Sequence, residues 1–232
     1  MIEWRKRCLG EITSFMSKGI PPKYVERENE NTVRVLNQKC NRNFEIKYEE
    51  SRLHDCSKKK VPADKMLQPG DVLINSTGTG TAGRVAQLYD VPTPTTIDGH
   101  MILLRPTEEI DSIYYGYAVK AFQPKIEMLA EGSTGQTEIN RKRLQEEIVI
   151  SFPKEKETQE RIARFLLNID EKIKVNDKIN KNLSPHLCKA QTAAKQRRQI
   201  PKPDEGLHTD GKVSVRGDNE ETAEQFSSLL AA

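Results

Sequence analysis

The sequence predicts an α+β fold: a globular domain over residues 1–155, a long coiled-coil-forming α-helix over 156–199, and an acidic, disordered tail over 200–232. Three observations predict it. Short apolar runs of strand composition, punctuated by Gly and Pro, fill most of the first 155 residues. One stretch among them, 111–130, has helical composition. From residue 156 the apolar residues fall on a seven-residue period.

In chain order, turn signals stand at Gly19-Ile-Pro-Pro22, Gln68-Pro-Gly70, Gly78–Gly83 and Pro92-Thr-Pro94. Segments 33–36, 71–75, 84–89 and 101–105 read as strands, and Asp71-Val-Leu-Ile-Asn75 and Met101-Ile-Leu-Leu104 supply core. Residues 111–130 read as helix, with Asp111 or Ser112 as its cap and Pro124 as an interruption.

At Pro153 the character changes. Beyond it Ile162, Leu166, Ile169, Ile173, Asn176, Asn180, Leu183 and Leu187 are spaced 4, 3, 4, 3, 4, 3 and 4 residues apart. That is a heptad seam with charged residues on nearly every other face, and the part over 156–183 makes a rod of about 42 Å. Asn at two seam positions lowers stability but fixes register and orientation against a partner helix. The alternative is an amphipathic helix lying on its own domain. Pro185 is expected to kink or end the helix, or Ser184 to cap a second one. Residues 200–225 read as disordered.

Charge is unevenly spread. The net charge is +3, but residues 200–232 hold three basic and seven acidic groups, leaving +7 on the remainder. A basic body suits a polyanionic partner. No apolar run is long enough to span a bilayer, and the basic N-terminus has no apolar run behind it, so a cytoplasmic protein is expected. Cys8, Cys40, Cys56 and Cys188 are too far apart in sequence for a clustered metal site and are expected as reduced thiols.

Gly78-x-Gly80-x-x-Gly83 matches a dinucleotide fingerprint, but Arg84 onward has too little room for a helix before Pro92, and no Lys-Ser/Thr follows Gly83. A hairpin with a Thr/Gly-rich tip fits better. Short hydroxyls and bare amides on such a tip suit phosphates and base edges, or form a plain solvated turn. A second polar loop, Gly132 to Arg143, joins Ser, Thr, Gln and Asn to three basic residues, and Lys58-Lys59-Lys60 adds a third basic spot. Asp71 begins a strand after Pro69-Gly70, the placement of a nuclease acid, without an acid-x-Lys partner. No paired carboxylates and no Ser/His/Asp set stand out, so no bond chemistry is expected of this chain.

Taken in order, several segments resemble the specificity subunit of type I restriction–modification enzymes. They are Trp4-Arg-x-x-x-Leu9-Gly-Glu-Ile12, Leu67-x-Pro-Gly-Asp-Val-Leu-Ile74, Ser76 to Val85, Thr96 to Pro106, Gly132 to Asn140, and Glu160-Arg-Ile162 through Asp170-x-x-Ile173 and Asn176. Coverage runs from about residue 3 to 183. The resemblance implies one target recognition domain and one conserved helix, the half-length form of a subunit that usually carries two of each. A natural half-subunit, a truncated product and a recombination cassette are all compatible with the resemblance.

It further implies double-stranded DNA as ligand, with a DNA adenine methyltransferase subunit and a restriction endonuclease/translocase subunit as partners. The chain itself needs no cofactor; S-adenosylmethionine, ATP and Mg are expected in the partner subunits. Expected DNA contacts are Lys58, Lys59, Lys60, Thr77, Thr79, Thr81, Arg84, Ser133, Thr134, Gln136, Arg141, Lys142 and Arg143. The expected homodimer interface is Ile162, Leu166, Ile169, Ile173, Asn176, Asn180 and Leu183. The rival readings are a coiled-coil adaptor without DNA binding and a nucleotide-dependent enzyme using the Gly78 loop.

Overall fold

The computed structural model describes residues 2–132 and 137–198. The chain divides into two units, Met1–Asn176 and Asp177–Ala232. The acidic tail expected over 200–232 lies outside the described residues.

The strand-rich half runs β1 (Trp4–Cys8), β2 (Thr13–Lys18), β3 (Tyr24–Val25), β4 (Thr32–Leu36), β5 (Asn41–Arg42), β6 (Glu45–Ile46), β7 (Arg52–Asp55), β8 (Val72–Asn75), β9 (Val85–Gln87), β10 (Thr95–Ile97) and β11 (Met101–Pro106). Then come α1 (Ser112–Ala121), α2 (Gln123–Met128), β12 (Ala130–Glu131), β13 (Glu138–Ile139), α3 (Arg141–Glu147), β14 (Val149–Pro153) and α4 (Lys156–Arg198). The four strands and the helical stretch expected from composition are all present. Asp111 caps α1 by accepting from the Tyr114 amide at 2.8 Å. Pro124 sits in the first turn of α2, where its missing N–H costs nothing, so it divides the stretch into two helices.

One antiparallel sheet has the order β2-β11-β8-β9, pairing Leu103 with Leu73 and Ile102 with Ile74 at its centre. Alternation sends Val72, Ile74, Ile102 and Leu104 to one face, where Tyr115, Val119, Ile126, Leu144 and Phe152 cover them. Leu73, Met101 and Leu103 face the other way, onto Leu36 and Ile97 of a second sheet, β10-β4-β7-β3. Central strands covered on both faces explain why these runs are continuously apolar. β1 pairs with β14, tying the start of the chain to the residues before α4.

Asp71 is buried at the head of β8 and forms an ion pair with Arg105, at 2.8 and 3.1 Å. Burial pushes its carboxyl up from the usual range, and the Arg105 guanidinium opposes that shift. Arg105 also donates to the carbonyls of Asp64 and Met66. Asp71 therefore anchors a loop and is no nuclease acid.

The first turns of α4 pack on the domain. Gln159, fully buried, donates to the carbonyl of Pro153 at 2.8 Å and accepts from the Asp111 amide at 2.7 Å. Ala163 enters the core, and Asp170 accepts from the Tyr117 hydroxyl at 2.8 Å. Lys174 pairs with Glu45 at 2.7 Å. The helix runs on through Ser184-Pro185, where the sequence predicts a kink, an end or a restart. Proline there removes one backbone hydrogen bond from a helix of 43 residues, and the helix-favouring residues on either side carry it past that loss.

Gly19 marks the closest approach of the two sheets. A Cβ at this position would collide with the main-chain oxygens of Ile97 and Asp98. Its own amide donates to Met101 at 3.2 Å, and the Ile20 amide donates to Ile97 at 2.9 Å. Gly19→Ala should therefore destabilise the domain by about 3 kcal/mol, read as a lower urea midpoint. Gly99→Ala is the control: its Cβ would meet only the Ile20 oxygen at 4.0 Å, so the midpoint should hold.

Candidate nucleic-acid interface

The turn between β8 and β9 is a built loop. The amides of Thr81 and Ala82 both donate to the Gly78 oxygen, at 3.0 and 2.9 Å, and the Gly83 amide donates to Asn75 at 2.9 Å. Gly78 and Gly83 hold φ of +113° and +88°. At Gly83 a Cβ would also lie 2.7 Å from the Glu127 Cα of α2. These glycines serve turn geometry and close packing. A strand, not a helix, follows them, so the dinucleotide reading fails.

The second polar loop comes to the same place. Thr77 forms an antiparallel bridge with Glu138, and the Ile139 amide donates to the Ser76 oxygen at 2.8 Å. Thr77, Thr81 and Arg84 thus share one edge of the domain with β13 and the start of α3. Thr79 is exposed on the same turn. Ser133, Thr134 and Gln136 lie outside the described residues. Asn140 caps α3 by accepting from the amides of Lys142 and Arg143, at 3.1 and 3.3 Å.

The basic residues differ in how free their charges are. Arg141 and Lys142 are exposed, and Lys142 stands 4.0 Å from Glu146. Arg143 is held between Glu147 and Glu131, whose hydrogen bonds raise its pKa further, while Arg143 lowers that of Glu147. Its charge is spent inside the domain, on bracing α3 against β12. Arg84 is half-buried and donates to the Gly80 oxygen at 3.1 Å.

Lys58–Lys60 follow β7, in the other sheet. His54, buried, bonds the Lys59 oxygen at 2.7 Å, and Lys58 pairs with Asp55 at 3.6 Å. Hydrogen bonds from Ser57 and the nearby Lys58 hold the Asp55 carboxyl below its usual range. No hydrogen bond among the described residues joins this run to the two polar loops.

Three side chains that the motifs did not single out stand at the shared edge. Lys18, at the end of β2, pairs with Glu138. The Thr77 hydroxyl lies 2.8 Å from His100 Nδ1 and 3.4 Å from Gln38 Oε1. Gln38 belongs to no motif, His100 lies in the turn of the Thr96 to Pro106 segment, and only the meeting of the two sheets brings them together.

On α4 the expected seam splits. Ile162 packs against the domain's own core and Leu166 is half-buried, so Ile162 is withdrawn from the interface. Ile169, Ile173 and Leu183 are exposed, as are Asn176 and Asn180. Phe165, 66 % exposed, and Ile179 extend the same stripe. At about 100° per residue, Phe165, Ile169, Ile173 and Asn176 are centred roughly a third of a turn from Ala163, Asp170 and Lys174, which face the domain. Among the described residues no cluster of His, Cys, Asp or Glu is arranged to hold a metal, and no helix is long and apolar enough to cross a membrane.

The family model described as the type I restriction modification DNA specificity domain matches residues 1–184. Comparison with curated proteins gives no match. The S subunit of a type I restriction–modification system from M. genitalium is 21 % identical with a TM-score of 0.54, covering 80 % of this chain and 44 % of that one. A structure of complex assembly and conformational transition in the type I R-M system is 18 % identical with a TM-score of 0.59, over 82 % and 44 %. The HsdS subunit from Thermoanaerobacter tengcongensis is 20 % identical with a TM-score of 0.54, over 74 % and 38 %. The chain spans less than half the length of the solved subunits it matches. With most of its length matched and the fold shared, this chain belongs to the family of type I restriction–modification DNA specificity domains, whose work is recognition rather than bond chemistry.

Proposed function

We propose that this chain reads one half of a bipartite DNA site for a type I restriction–modification system, docking the methyltransferase and restriction subunits that carry the chemistry. The observation that supports this most is the Thr77–Glu138 bridge, which sets two polar loops side by side in a domain of this family. Phosphate contacts come from the exposed Arg141 and Lys142, from the half-buried Arg84, and from Lys58, Lys59 and Lys60. Base readout comes from Thr77, Thr79 and Thr81, together with Ser133, Thr134 and Gln136. Phosphate contacts fix register, and base contacts carry sequence.

A second copy of the chain pairs through α4, antiparallel, burying Phe165, Ile169, Ile173 and Leu183. Two-fold pairing of identical heads selects an interrupted palindrome. The cofactors S-adenosylmethionine, ATP and Mg belong to the partner subunits in this reading.

Duplex binding should weaken steeply between about 50 and 200 mM salt. Arg141→Ala should weaken all duplexes alike and lower the salt slope by about 1; a chain that binds no duplex supports an adaptor instead. Ile169→Asp with Ile173→Asp places charges in the seam, each costing several kcal/mol. The dimer dissociation constant in sedimentation equilibrium should rise by at least about 100-fold, and an unchanged dimer removes the seam.

A further inference from the structure

We infer that Gln38, Thr77 and His100 form a base-reading trio that recognises one adenine in the major groove. The inference rests on the DNA-reading function proposed above and names the residues that give it sequence preference.

A threonine hydroxyl has one proton to donate. Gln38 Oε1 only accepts, so the Thr77 proton goes there, across 3.4 Å. The Thr77 oxygen then accepts from His100 Nδ1–H at 2.8 Å. This chain of bonds puts a proton on Nδ1, and in that tautomer Nε2 is an acceptor. The Gln38 amide nitrogen keeps two donors. Neither group has a partner among the described residues, and His100 is exposed. Adenine presents an N7 acceptor and an N6 amino donor in the major groove, whereas guanine presents two acceptors, N7 and O6. One acceptor, on His100, and one donor, on Gln38, form the hydrogen-bonding complement of adenine.

The fold is organised to hold this trio. Asn75, fully buried, donates to the Gln38 carbonyl at 3.1 Å, and Asn41, fully buried, donates to the Arg84 carbonyl at 2.8 Å. Each leaves its own Oδ1 without a hydrogen-bond partner among the described residues. An unsatisfied buried acceptor is destabilising, and what these two amides secure is the main chain under exposed polar side chains. A Cβ at Gly78 would lie 2.7 Å from Gln38 Oε1, so glycine leaves that amide its space. His100 is fixed in turn by the Ser76 amide, which donates to its oxygen at 2.8 Å, and by Asp98 Oδ1, which accepts from its own amide at 2.9 Å.

The test is selection from a duplex library with the full chain, followed by titration at each preferred position. Wild type should prefer adenine at one base pair. Gln38→Ala and His100→Ala should each lower the preference there by roughly tenfold or more, leaving other positions and the salt slope unchanged. Thr77→Val, which keeps the volume and removes the hydroxyl, should do the same with an unaltered thermal melt. Variants that keep the wild-type preference everywhere, or that weaken every sequence equally, overturn the trio while leaving the DNA-reading function standing. Guanine at the affected position overturns the donor–acceptor assignment. Wild-type protein that binds no duplex defeats the DNA-reading function itself, and that result is visible before any variant is made.

Discussion

Strands β8 and β11 carry apolar side chains on both faces, and the rest of the first unit is arranged to cover them. On one side lie α1, α2, α3 and β14; on the other lies the sheet built around β4 and β10. A strand pair buried on both sides cannot slip by one residue without breaking two cores at once. Its register is therefore strongly held, and the ends of its strands are well-placed points on the surface. The Asp71–Arg105 pair fixes one end. The other end carries the Gly78 loop.

That second end is where polar chemistry accumulates. Ser76, at the end of β8, receives the Ile139 amide and donates to the His100 carbonyl. Three segments distant in sequence thus meet at one residue. A loop of Thr and Gly on its own would be a solvated turn. Bonded to β13, to the turn before β11 and to the Gln38 carbonyl, it becomes a surface with fixed donors and acceptors. In the proposed base readout, preorganisation of this kind favours selectivity, because polar groups already locked in place lose little freedom on binding.

Much of this was legible in the sequence, for reasons that differ by element. Runs such as Met101-Ile-Leu-Leu104 can only be buried strand, and Asp111 announces its helix as a cap. The Gly78 loop was legible as a hairpin because Pro92 leaves no room for a helix. Other features depend on contacts that a linear reading does not carry. Arg143 looks like a free cation until Glu131 and Glu147 are seen on either side of it. Ile162 keeps the heptad spacing perfectly, yet the domain supplies its partners. Gln38 belongs to no motif and His100 is legible only as part of the Thr96 to Pro106 segment; their proximity to Thr77 is a product of how the sheets meet near Gly19. Pro185 has a strong local preference, and a long helix overrides it.

The long helix meets two demands on two faces, and the domain side of it is unusually well tied. The β5–β6 hairpin turns through Asn43 and Phe44, both with positive φ, at 54° and 62°. Phenylalanine in that region is strained by about 1–2 kcal/mol. What the strain secures is visible: the Lys120 ammonium sits 4.6 Å over the Phe44 ring, and Glu45 reaches Lys174. Lys120 also bonds Asp170, which holds Tyr117 and so links α1 to α4. Hydrogen bonding to Asp170 and burial both push the Tyr117 hydroxyl well above its usual range, so it remains a donor at any physiological pH. Residues 159–174 of α4 are fastened to the head through charges and hydroxyls, which are directional. The neighbouring stripe of Phe165, Ile169 and Ile173 is left apolar, and apolar contact is not directional. In the proposed dimer this division lets the directional bonds set the orientation of the helix on the head, while the apolar stripe supplies affinity for a second helix.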